Sequence, residues 1–146
     1  MIALLQRVTE AAVEVNGQTI AAIGPGLLVL VAVEKDDSEA QVYRLASRLI
    51  NYRVFPDEND RMNLDVQQAS GEVLLVPQFT LAADTGRGNR ASFTPAASPA
   101  EGQRLYEEFV RVVSGIFPRV CSGKFGANMQ VSLVNDGPVT FWLQVR

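Results

Sequence analysis

No histidine occurs among the 146 residues, and there is a single cysteine, Cys121. The first absence excludes a Ser-His-Asp triad, a Cys-His dyad and any zinc site built on imidazole. The second excludes an intrachain disulfide and a cysteine cluster for zinc or iron–sulfur, and it fits a reducing compartment. Long apolar runs are also missing. The longest, Leu27 to Val33, is far short of a membrane span, so no membrane partner is expected. Met1-Ile2-Ala3-Leu4-Leu5-Gln6-Arg7 has no basic stretch ahead of an apolar core. No signal peptide is therefore expected, and the expected location is cytoplasmic. Positive charge is in deficit, 13 Lys and Arg against 16 Asp and Glu, for a net charge of −3. That balance argues against broad, non-specific binding of DNA or RNA but leaves room for a local basic patch.

What is present describes an ordinary globular chain, 47% hydrophobic and 20% charged. The length fits one domain, residues 1–146, large enough to fold without a metal or disulfide staple. Ile2 to Val15 reads as a long strand with room for a bulge, and Asn16-Gly17 as a tight hairpin turn. Gln18 to Ile23, the turn Gly24-Pro25-Gly26 and Leu27 to Val33 complete an expected three-strand meander. Ser38 with Gln41 makes a capping box, behind which Val42, Leu45, Ala46, Leu49 and Ile50 recur at helical spacing. Short strands are expected at Arg53–Phe55 and Glu72–Val76, with a polar turn at Pro56–Asp60. A second helix is expected from Ser98, with Pro99 in its first position and Glu101 closing another capping box. Its buried stripe is Leu105, Tyr106, Phe109, Val110, Val113 and Phe117. Met129–Val134 and Val139–Val145 read as a closing hairpin. The fold class is α+β: a mainly antiparallel, curled, barrel-like sheet with two helices.

Three segments could carry chemistry. Pro77-Gln78-Phe79-Thr80 is either a solvated strand end or a turn that aims a hydroxyl and backbone N–H groups at one point, as an oxyanion hole does. Asn135-Asp136-Gly137-Pro138 is first of all a hairpin turn, and from residue type alone its Gly-Pro bond is expected to be trans. Thr85-Gly86-Arg87-Gly88-Asn89-Arg90 is a solvated loop or a phosphate contact through its two arginines. Two others fall away. Asp57, Glu58, Asp60 and Asp65 lack the spacing of a cation loop and read as residues that solvate a turn. Cys121 has no base to activate it and reads as structural.

Met1-Ile2-Ala3-Leu4-Leu5-Gln6-Arg7-Val8, Gln78-Phe79-Thr80-Leu81 and the stretch Met129 to Val145 together resemble the D-aminoacyl-tRNA deacylase family, along the whole chain and in motif order. The terminal motif is the specific one; Gln-Phe-Thr-Leu alone is not. The resemblance implies hydrolysis of the ester joining a D-amino acid, or glycine, to the 3′-terminal adenosine of tRNA. It also implies a homodimer whose sites lie at the subunit interface. One subunit would offer Gln78, Phe79 and Thr80, and the partner a Gly137-Pro138 dipeptide with a cis bond, against the expectation from residue type. No cofactor and no metal is implied. Main-chain carbonyls at Gly137-Pro138 would accept the α-ammonium and crowd an L side chain, so chirality is read without side-chain identity. The Phe79 N–H, with that of Thr80, would hold the oxyanion. The Thr80 hydroxyl as nucleophile and a water oriented by the adenosine 2′-hydroxyl are alternative routes to cleavage. Arg87 and Arg90, and more weakly Lys124, are expected at tRNA phosphates. One departure stands out: Pro77 occupies a place where the family usually has Ser, and the turn and its activity are expected to survive it. A non-catalytic RNA-binding protein, a metal-dependent hydrolase and a small-molecule binder at a subunit interface are the competing functions. Ester cleavage, survival in chelator and competition by uncharged tRNA separate them.

Overall fold

The computed structural model describes residues 1–146. It contains β1 (Ile2–Val15), β2 (Gln18–Ile23), β3 (Gly26–Ala32), α1 (Glu39–Ile50), β4 (Phe55–Pro56), β5 (Met62–Leu64), β6 (Glu72–Pro77), α2 (Pro99–Ile116), β7 (Val120–Ser122) and β8 (Gln130–Gln144), with a 3-10 turn at Phe79–Ala82. The α+β class and the curled sheet expected from the sequence are both present.

Strand β1 is the seam of the sheet. Its first half pairs antiparallel with β3 and its second half with β2, while β8 runs antiparallel along nearly its whole length. Beyond β3 the order continues through β6 to β7, both joined in parallel. The expected meander is therefore corrected. β2 and β3 do not pair with each other; they follow one another along β1, separated by the Gly24-Pro25 break. The hairpin turn itself is as expected: Asn16 and Gly17 have φ of 51° and 75°, the left-handed pair that a two-residue turn between twisted strands demands.

The sheet has a core on each face. Ala3 and Leu5 of β1 join Leu45, Leu49, Leu105 and Phe109 of the helices in one cluster. Val8, Ala11 and Val13 join Ile23, Leu28, Leu74 and Val76 in another, where the sheet curls on itself. The change of side falls where the β1–β8 register slips, around Val8. One strand can feed two cores because a bulge reverses the side its residues face.

Both helices start as expected, with one difference. Ser38 and Gln41 complete the capping box of α1, and the five expected positions are its buried ones. At α2, Ser98 caps the N–H of Glu101 at 3.4 Å, but the Glu101 carboxylate pairs with Arg104 instead of returning to the cap. Val112 is buried in the α2 stripe, while Val110 is half-buried against the core. A short β4–β5 hairpin brackets the polar turn, and Asp57 accepts from the N–H groups of Asn59 and Arg61 and from the Asn63 amide. Asp65 likewise accepts from the N–H groups of Gln67 and Gln68.

At one end of the β1–β8 seam the Met1 α-ammonium is buried. It donates to Glu34 at 2.9 Å, Asp37 at 2.6 Å and the Val145 carbonyl at 2.8 Å. Burial alone would raise the Glu34 carboxyl. Hydrogen bonds from Gln144 and the ammonium outweigh that and hold it below the ordinary carboxylate range. No helix is long and apolar enough to cross a membrane.

Candidate active site

Strand β6 leaves the sheet by changing the partners of its main chain. The Gln78 N–H still donates to the Val31 carbonyl of β3 at 2.7 Å. The Gln78 carbonyl, however, accepts from Leu81 N–H at 3.2 Å, and that of Thr80 from Ala83 N–H at 3.2 Å. The expected strand end is thus a 3-10 turn. Such a turn uses none of its first N–H groups internally, so those of Phe79 and Thr80 remain outside its own bonding. The Gln78 amide donates to the Thr80 hydroxyl. No ionisable side chain hydrogen-bonds that hydroxyl, so nothing draws off its proton. Phe79 is 57% exposed and packs against Phe93, ring centres 5.1 Å apart.

Beside the turn lies a cavity of about 500 Å³. Gln78, Phe79 and Pro77 line one side, Ser98 and Gly102 of the α2 start another, and Phe125 to Met129 the facing wall. Its volume falls in the range of small-molecule sites. Tyr106 also reaches it; its hydroxyl donates to the Leu75 carbonyl at 3.0 Å, and burial pushes its ionisation well above the usual tyrosine range. Tyr106 reads in sequence only as helix stripe, and its second role has no sequence signal. The 125–129 wall has only a faint signal in sequence: Gly123 and Gly126 around Lys124 mark a break in regular structure.

Gly137 and Pro138 lie elsewhere in the chain. β8 does not turn at Asn135; it continues along β1, and the expected closing hairpin is corrected. Gln6 faces Thr140 and Val8 faces Asn135, so Asp136 to Val139 bulge out opposite Arg7 alone. The local Asn-Asp-Gly signal is overridden because both halves of β8 have the same long-range partner. The Gly137-Pro138 bond is cis, not trans as residue type suggests. Gly137 has φ +124°, and a β-carbon there would lie 2.8 Å from Val139 Cγ2. Arg7 anchors the bulge. Its Nε donates to the Asp136 carbonyl at 3.2 Å and lies 3.3 Å from the Asp136 carboxylate, and its Nη1 donates to the Val54 carbonyl at 2.6 Å. Only 11% of the Arg7 side chain is exposed. Its signal in sequence is a lone charge inside an apolar strand.

No residue of the bulge lines the cavity. Arg87 and Arg90 sit on the exposed tip between Asp84 and Ser92, which bridge to each other, and neither is in an ion pair. Lys124 is exposed next to the cavity wall. Cys121 is half-buried with its thiol 3.8 Å from the Ala22 carbonyl; burial and Glu72 raise its ionisation, which suits the structural reading.

The chain thus combines a curled six-strand sheet, two helices on one face, and a turn of free main-chain donors beside a cavity of small-molecule size. A solved structure described as a probable eukaryotic D-amino acid tRNA deacylase has this fold, with a TM-score of 0.86 over 99% of this chain and 98% of its own at 18% identity. A second, described as c-Myc DNA Unwinding Element Binding Protein, has a TM-score of 0.96 at 36% identity, covering 100% and 99% of the two chains. A family model described as D-Tyr-tRNA(Tyr) deacylase matches residues 4–144. Proteins named D-aminoacyl-tRNA deacylase from Thioalkalivibrio sulfidiphilus and Haemophilus influenzae are each 59% identical over 145 residues, covering 99% of this chain and 97% and 100% of their own. The chain belongs to the D-aminoacyl-tRNA deacylase family, a family of hydrolases.

Proposed function

We propose that this protein hydrolyses the ester of D-aminoacyl-tRNA, and of mischarged glycyl-tRNA, in the cytoplasm, as a homodimer of one-domain subunits. The observation that carries the dimer is the separation of the two site elements. In one protomer the Gly137-Pro138 bulge stands apart from the cavity that Gln78 and Phe79 line, so a second copy is needed to complete a site. The outward face of β8 supports the same reading. Its Val134 and Trp142 are about half exposed, as residues awaiting a partner surface would be.

In the assembled site the tRNA 3′ end enters with its terminal adenosine in the cavity and the ester carbonyl at the Phe79 turn. The Phe79 and Thr80 N–H groups meet the charge that develops on the carbonyl oxygen. An aminoacyl ester is already activated, so positioning and oxyanion stabilisation suffice without imidazole. The partner's main chain at the Gly137-Pro138 bulge accepts the substrate ammonium and leaves no room for an L side chain. Glycine passes this filter because it has no side chain to exclude. The Thr80 hydroxyl accepts from Gln78 and has no base, which favours attack by a water oriented by the adenosine 2′-hydroxyl. Thr80→Ala therefore retains turnover within a few-fold, and a loss of about a thousandfold would restore the hydroxyl as nucleophile. Arg87 and Arg90 approach tRNA phosphates; replacing both lowers the salt dependence of tRNA binding, and an unchanged slope removes them from the interface.

The decisive experiment is deacylation of matched D-Tyr-tRNA and L-Tyr-tRNA by the purified protein with chelator present. Cleavage of the D ester alone supports the activity, the chiral filter and independence from metal. Cleavage of neither overturns the reading and leaves a tRNA-binding protein.

A further inference from the structure

A proline in a strand with neighbours on both edges removes a ladder hydrogen bond, and β6, with Pro77 at its end, lies between β3 and β7. The side that loses the bond follows from the alternation of the strand. Glu72 and Gln78 donate towards β3, to Pro25 and Val31, so even-numbered residues face that edge. Val73 donates to Arg119 on the other side, and Gly123 N–H donates to Leu75 at 2.8 Å. Continuing that parallel ladder by one step requires an N–H at position 77 aimed at the Gly123 carbonyl. Pro77 has none, and no backbone or side-chain donor meets that carbonyl. From there the chain leaves the sheet, and Phe125 to Met129 become the wall of the cavity.

We propose that Pro77 positions this wall: by ending the β6–β7 ladder at Leu75 it sets where Gly123–Met129 diverges, and hence the width of the cavity beside the catalytic turn. The role in substrate affinity rests on the reading that the cavity takes the nucleoside end of the ester. Gly123 completes the arrangement, since a β-carbon there would lie 2.8 Å from Met129 Sδ and 3.5 Å from Pro77 Cδ. Pro77 is a positioning residue in this scheme. The turn's own bonds, through Gln78 and Thr80, do not depend on it.

The test restores the donor. Pro77→Ala supplies the missing N–H, which should bond the Gly123 carbonyl and draw the wall inward. Amide exchange in a peptide covering 123–129 should slow by about tenfold, as the bond donated by residue 77 adds a second tether beside that from the Gly123 N–H to Leu75. KM for D-aminoacyl-tRNA should rise by about three- to tenfold with kcat within about twofold, because binding is affected and the chemical groups are not. Met129→Ala in the same variant, which reopens the space, should return KM towards the wild-type value. Unchanged exchange in 123–129 overturns the proposal whatever the kinetics. A fall in kcat at constant KM also overturns it, by moving the effect of Pro77 to the turn. The exchange measurement needs no substrate, so it stands even if the unaltered protein cleaves no ester. In that case the deacylase reading fails and the account of the wall is judged alone.

Discussion

The turn at Gln78–Thr80 and the bulge at Asp136–Val139 are both exposed, yet they are held by opposite means. Main-chain bonds hold the turn: Gln78 to Val31 on one side, Leu81 to Gln78 and Ala83 to Thr80 on the other. One side chain holds the bulge: Arg7 contacts the Asp136 carbonyl and carboxylate and is itself fixed to the Val54 carbonyl. A geometry written in the main chain tolerates changes of side chain, as long as each N–H that is used survives. A geometry hung on a guanidinium is only as secure as that residue. The two halves of the proposed site should therefore fail differently under mutation.

The sharpest test of the main-chain half is Phe79→Pro. Phe79 opens the 3-10 turn, a position where proline is tolerated. The substitution removes the N–H and should lower kcat by about 10²–10³ while the fold survives. Phe79→Ala, which keeps the N–H, should cost far less. Equal losses in the two variants would show that the ring, and not the main chain, does the work.

Gly137→Ala tests the other half. The φ of +124° and the 2.8 Å approach to Val139 leave no place for a methyl group, so the bulge must shift. A shift of about 1 Å at a site that must fit its substrate costs on the order of a hundredfold in kcat/KM. Retained activity with retained D/L discrimination would remove Gly137 from the filter. Arg7→Ala acts on the same bulge from below. It should cost about 1–3 kcal/mol in urea unfolding, because the Val54 carbonyl loses its partner, and about tenfold in activity. Should unfolding and activity both be untouched, the contrast drawn between the two elements would collapse.

Much of this architecture was legible in the residues. Asn16-Gly17, the Ser38–Gln41 box and the five apolar positions of α1 are local signals, and each appears where expected. The failures are long-range. Asn135-Asp136-Gly137 carries a turn signal that β1 overrides by pairing with both halves of β8, and no window shorter than the whole chain contains that information. The 3-10 turn hid because Phe79-Thr80-Leu81-Ala82 continues an apolar pattern; the departure is made by the Gln78 carbonyl, which takes a turn partner while its N–H keeps the sheet. The motif residues were found by resemblance, and the cavity that gives them a use was not. Its lining comes from four segments distant in sequence.

The smallest expected effect lies at the other end of the seam that carries the bulge. The Glu34 carboxyl is held below its usual range, so its share of stability is fully present above about pH 4.5 and is lost as pH falls through its lowered value. Glu34→Gln should lower stability near neutrality by about 0.5–1 kcal/mol and flatten the acid limb of the profile. Urea midpoints at pH 7 and pH 3.5 measure it. An acid limb as steep as in the unaltered protein would assign the acid sensitivity to other carboxylates.

Because β1 and β8 are the first and last strands of the chain, their pairing spans more than a hundred residues and closes the largest possible loop. During synthesis one edge of β1 must wait, unpaired, until the final strand has emerged, and topologies dominated by such contacts fold slowly. Leu4, Leu5 and Val8 sit along that waiting edge. The bulge that carries Gly137 is therefore made only when the sheet is sealed.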